Sequence, residues 1–153
     1  MRSSSLLLIV TLIAAACGWL TTEPLPGPDP LSSSEMQTAR LANDLAGWPA
    51  DALEFQQLRI VGDMLEATVS HGGGCAEHSY ALVFSNVFLE SLPVQMRGLL
   101  SHDAKGDPCR ALLTRTLRFD LTPLKEAYRA GYRESSGTII LIGNWPGRLR
   151  FDF

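Results

Sequence analysis

The chain of 153 residues has no excess of positive charge: 13 Lys and Arg stand against 16 Asp and Glu, for a net charge of -3. Recognition of a phosphate backbone draws on clustered cations, so nucleic acid is not expected as a partner. Aromatics are few, with six Phe, three Tyr and three Trp scattered along the chain, which leaves no platform for stacking bases. No G-x-S-x-G, H-x-x-x-H or C-x-x-C sequence occurs. The hydrolase nucleophile elbow, the helical zinc pair and the dithiol motif are therefore all missing. The carboxylates of Glu66, Glu77, Glu90, Asp103, Asp107 and Asp120 fall on turns or strand edges, and no two of them form a recognisable glycosidase pair. No enzyme class is supported, no cofactor is expected, and the solvated surface is the default place for these acids. What remains is an ordinary globular composition, 46% hydrophobic and 19% charged, of a length that suits one domain.

The first residues have a different character. Arg2 precedes the apolar stretch LLLIVTLIAAA at residues 6–16, which is long enough for a secretory signal and too short to span a bilayer. Ala14, Ala15 and Ala16 lie directly before Cys17 and resemble the lipobox of bacterial lipoproteins. This reading makes residues 1–16 a lipoprotein signal peptide and Cys17 the lipidated first residue of the mature chain, joined to the membrane through palmitate. A standard cut after Ala16 would instead leave Cys17 as a free thiol. Gly18 follows where an aspartate marks inner-membrane retention in many such proteins, so the resemblance implies a bacterial envelope protein of the outer membrane. Residues 18–34, GWLTTEPLPGPDPLSSS, are rich in proline and read as a semi-stiff tether, completing a lipidated segment over 17–34.

The remainder, 35–153, reads as one domain. SEMQTARLANDLAG at 34–47 has helical spacing, with Ser34 as cap and Gly47 and Pro49 as stop. Beyond Asp51 the apolar period falls toward two, and strands are predicted at 52–60, 64–71, 78–85, 93–101, 110–119, 137–142 and 148–153. Inward faces carry Leu65, Ala67 and Val69, then Tyr80, Leu82 and Phe84, then Val94, Met96 and Leu100, while the opposite faces are mixed and polar. Thr122 and Pro123 open a short helix that Gly131 closes. The expected fold is mainly β, an antiparallel immunoglobulin-like β-sandwich of about seven strands with one or two short helices.

All three histidines and both remaining cysteines fall between residues 71 and 109. In an oxidising envelope two thiols left after acylation of Cys17 pair, so a Cys75–Cys109 disulfide is expected. The glycines of HGGGC at 71–75 permit positive φ and close backbone crossing beside it. The sharper alternative is a zinc or copper site using His71, His78 and His102, with oxygen from Asp103, Asp107 or Glu77. Against it, His78 points to the core side with Tyr80, where a packed histidine is the ordinary outcome.

The strings GGGCAEHSYAL (72–82), ESLPVQ (90–95), LLSHDAKGDPC (99–109), FDLTPLK (119–125) and GTIIL (137–141) together resemble the NigD-like lipoproteins, poorly characterised bacterial proteins with a C-terminal β-sandwich. The resemblance covers roughly 52–142. It implies an immunoglobulin-like sandwich on a lipid anchor, with the two cysteines close in space, and brings no catalytic residue. GNWPGRLRFDF at 143–153 departs from that pattern and reads as a last hairpin strand. The functional expectation is a non-enzymatic binding or structural module for an envelope protein partner, with 90–95 and 102–108 as the first surfaces to test.

Overall fold

A computed structural model of the chain describes residues 36–153. The signal peptide, Cys17 and the tether lie outside these residues. Nine strands and one helix follow in order: β1 (Gln37–Thr38), β2 (Arg40–Ala42), β3 (Glu54–Val61), β4 (Met64–Gly73), β5 (Ser79–Leu89), β6 (Val94–Asp103), β7 (Ala111–Asp120), α1 (Thr122–Tyr132), β8 (Thr138–Ile142) and β9 (Leu149–Asp152). All seven strands expected beyond Asp51 form, with shifted ends. With β1 and β2 they make two packed sheets, ordered β1-β7-β4-β3 and β2-β5-β6-β8-β9.

Alternation builds the core. Leu65, Ala67 and Val69 of β4 face Leu82 and Phe84 of β5, Met96 and Leu100 of β6, Leu141 of β8 and Phe151 of β9 in one buried cluster. The outward side is polar, as Glu66 opposite Arg118 and Thr68 opposite Thr116 show on β4 and β7. Gly62 and Asp63 form the two-residue turn between β3 and β4, with Gly62 at φ +58°.

Three expectations are corrected. The sheets are mixed, not antiparallel: β1 on β7, β2 on β5 and β6 on β8 all run parallel. Apolar period reports which face is buried and carries no information on strand direction. The helix expected at 34–47 is, over the described residues, two short strands and a turn. The backbone of β1 and β2 completes the exposed edges of β7 and β5, and Ala39 sits buried where the chain passes from one sheet to the other, its N–H donating to the Asp120 carbonyl at 2.9 Å. Edge pairing outweighs a helical stripe whose Met36 and Leu41 remain exposed. Finally, Leu121 and not Thr122 is the N-cap of α1, while the Asp120 carboxylate accepts from both the Thr122 N–H (2.9 Å) and hydroxyl (2.6 Å). Gly131 lies inside the helix, and the left-handed residue that ends it is Arg133 at φ 59°.

Trp145, in the loop after β8, closes one side of the core against Phe84. Gly98 makes room for both rings: a Cβ there would lie 2.5 Å from Phe84 and 2.8 Å from Trp145. The neighbouring Asn144 amide accepts from Leu100 N–H at 2.9 Å and donates to its carbonyl at 3.1 Å, extending the β6 ladder beyond β8 with a side chain. Further along β6, Pro49 and Asp51 take over the same edge through the backbone of His102.

Candidate functional site

The inner positions of β4 run 65, 67, 69 and end at 71. Those of β6 run 96, 98, 100 and end at 102, and on β5 Tyr80 stands directly opposite His102. At this end of the sandwich the apolar rungs give way to polar rings: His71 from one sheet meets Tyr80 and His102 from the other, and His78 joins them from just before β5. The ring centroids of His71 lie 4.5 Å from His78 and 4.6 Å from His102, and those of His78 and His102 are 5.0 Å apart. Tyr80 stacks on His102 at 5.2 Å. His102 is 1% and His71 5% exposed, and the His78 side chain is 3% exposed, so the cluster is closed to solvent.

Hydrogen bonding assigns the protons. His71 Nδ1 lies 2.8 Å from the Gly72 carbonyl, which only accepts, so Nδ1 carries the hydrogen and Nε2 accepts a hydrogen bond from the Tyr80 hydroxyl at 2.5 Å. His78 Nε2 donates to Asp107 Oδ2 at 3.2 Å, leaving His78 Nδ1 to accept from His102 Nε2 at 2.8 Å. His102 Nδ1 is then left without a partner in the interior. Burial, then the neighbouring His71 and His78, lower the pKa of His102, while the backbone at Asp51 and Ala52 works in the opposite sense from outside hydrogen-bonding geometry. Burial raises the Tyr80 hydroxyl, with Arg115 opposing, so Tyr80 stays a protonated donor.

Asp107 organises the loop around the cluster. Its Oδ1 accepts from Cys109 N–H at 2.9 Å, and its Oδ2 from the N–H groups of Gly74 (2.8 Å), Cys75 (2.9 Å) and Ala76 (2.9 Å). The amides of Cys109, Ala76, Cys75 and Gly74 hold this carboxyl far below the usual range against the opposing effect of burial. The same two segments are joined covalently by Cys75–Cys109, with Cα atoms 5.8 Å apart. Gly73, at φ +143°, has no room for a side chain: a Cβ would stand 2.6 Å from His78 Nε2 and 3.0 Å from Asp107 Oδ2.

The structure thus brings together His71, His78 and His102, with Asp107 alone among the three acids named as oxygen donors. Asp103 instead accepts from Lys105 N–H, and Glu77 is exposed. Asp107 does not belong to the solvated surface, and His102 does not belong to an accessible 102–108 loop; the Asp107 carboxylate turns inward to four amide donors, and the His102 imidazole lies on an inner rung of β6, bonded through Nε2. Residue types alone did not reveal the bond from Tyr80 to His71. For Asp107 a signal was present: Asp two residues before Cys109 fits a turn in which the side chain accepts the i+2 amide.

No protein-family model matches the chain, and no curated protein matches it. Among solved structures it is similar to a NigD-like immunity protein of Bacteroides caccae, at 20% identity and TM-score 0.52 over 69% of this chain and 51% of that one. A protein of unknown function from Bacteroides vulgatus matches at 9% identity and TM-score 0.46, over 77% and 56%. A candidate lipoprotein of Bacteroides fragilis matches at 9% and 0.47, over 76% and 68%. The likeness to the NigD-like protein is one of fold, in agreement with the resemblance in the sequence. The chain spans about half the length of that protein.

Proposed function

We propose that the chain is a lipoprotein of the bacterial envelope, acylated with palmitate at Cys17 and held at the outer membrane, whose immunoglobulin-like sandwich serves as a non-enzymatic binding or structural module for an envelope protein. The observation that carries this reading is the Cys75–Cys109 bond beside a buried, fully hydrogen-bonded carboxylate. Such a cross-link belongs to an oxidising compartment, where the LLLIVTLIAAAC signal would deliver the chain. Among the described residues no helix is long and apolar enough to cross a membrane.

The test is metabolic labelling with radioactive palmitate together with membrane fractionation. Label on the wild type, its loss in Cys17→Ser and release of that variant from membranes support the reading. An unlabelled wild type, or a Cys17→Ser variant that still sediments with membranes, overturns it. The second reading, an envelope zinc- or copper-binding protein, is favoured by the convergence of the three histidines.

A further inference from the structure

We infer that His71, His78 and His102 form a binding site for one borderline divalent cation, zinc or copper, held by His71 Nε2, His78 Nδ1 and His102 Nε2. One nitrogen from each ring lies within 4.8 Å of the others. Two of the rings are already prepared as ligands. A metal-bound imidazole characteristically donates its other N–H to a carbonyl or carboxylate, which fixes the tautomer and turns the free lone pair inward. His71 donates from Nδ1 to the Gly72 carbonyl, and His78 from Nε2 to Asp107. Their remaining nitrogens therefore present lone pairs to the cluster.

The third ring differs from the other two. With His102 Nε2 donating to His78, His102 Nδ1 is a bare acceptor inside a residue that is 1% exposed. A buried group without a partner costs free energy. A cation between the rings takes the place of the shared proton: His102 Nε2 becomes a ligand, and since Nδ1 is unpartnered with or without the ion, the metal–nitrogen bond at Nε2 is what the cation adds. For zinc–nitrogen bonds in tetrahedral geometry the ligand atoms stand about 3.3 Å apart, so the 2.8 Å separation of His78 Nδ1 and His102 Nε2 opens by a fraction of an ångström.

The other groups fit this role. Tyr80, now paired with His71 Nε2, is placed to hold a water as the fourth ligand. Asp107, the acceptor for His78 Nε2, offsets part of the cation's charge without touching it. The oxidised sulfurs of Cys75 and Cys109 are unavailable as thiolate ligands, which leaves a nitrogen-rich site of the kind that suits zinc and copper.

The experiment uses the untagged full-length protein in detergent, stripped with chelator and then offered zinc(II), copper(II) or cobalt(II) with dialysis after each. The expected result is retention of one equivalent of zinc or copper per chain and a rise in Tm on loading. Cobalt should give the intense visible bands of a tetrahedral nitrogen and oxygen site. His71→Phe and His78→Phe should each lower retention at least tenfold. Glu77→Gln serves as a surface control that keeps full retention, and circular dichroism establishes that each protein is folded. A folded wild type that retains none of the three cations overturns the inference, as does undiminished retention in the folded histidine variants. Neither result bears on palmitate labelling at Cys17, so the anchor and the metal site fail separately.

Discussion

Asp107 reaches His78 and the backbone with a single oxygen: Oδ2 lies 3.2 Å from His78 Nε2 and also accepts the N–H groups of Gly74, Cys75 and Ala76. Asp107→Asn cannot reproduce this. Whichever way the amide turns, its NH2 meets at least one N–H donor, because Oδ1 is engaged by Cys109 as well. We expect a fall in Tm of about 5 °C or more, read by calorimetry, with faster amide exchange at residues 74–76. An unchanged melt would show that the loop is held by the disulfide alone.

The Cys75–Cys109 bond joins residues separated by 34 positions. Chain-entropy arguments assign such a cross-link about 4 kcal/mol of stabilisation. The double substitution Cys75→Ser, Cys109→Ser should therefore move the urea midpoint strongly down. Reductant should shift the wild type to the same midpoint and leave the variant unmoved.

Gly98 tests the packing of Phe84 on Trp145. Gly98→Ala places a methyl where both rings already stand, so a loss of about 1–3 kcal/mol is expected from overpacking. Gly131→Ala is the complementary case: it sits in α1 with open space around the position, and it should gain about 0.5–1 kcal/mol from helix propensity. Denaturant unfolding of the two variants should give opposite signs.

Glu66 receives Arg59 at 2.5 Å and Arg118 at 3.2 Å, and these hydrogen bonds, that from Arg59 foremost, lower its pKa. A carboxyl with a depressed folded-state pKa stabilises the fold above its unfolded value and loses that contribution as the pH falls through the folded value. Glu66→Gln should thus be slightly less stable than wild type at neutral pH, and the gap should close on acidification below the ordinary glutamate range. Both arginines are about half exposed, so added salt should narrow the gap as well. Melting curves across pH and ionic strength read both effects.

Much of this architecture was legible because alternation is a strong signal. Positions 65, 67, 69 on β4 and 82, 84 on β5 identify the buried face, and Tyr80 and His78 fall in phase with them. The same phase carries His71 and His102 inward from different strands, which is why three histidines far apart in sequence meet. Strand direction was not legible, since β6 and β8 bury the same faces whether they run parallel or antiparallel. Residues 37–42 misled because a stripe with Ala39 at its centre fits a helix locally, whereas the bonds that fix it come from β7 and β5, over forty positions away. Asp107 was legible only in part: its turn to Cys109 is local, whereas its donors at 74–76 are backbone amides, which have no residue type.

The crossing at Ala39 has a mechanical consequence. The chain enters the described domain through β1 on one sheet and continues through β2 on the other, parallel to β7 and to β5. A force drawn along the chain at residue 36 therefore meets two ladders in succession, with a buried alanine as the pin between them. Detaching the first ladder leaves the second intact, so extension from that end should yield in two steps.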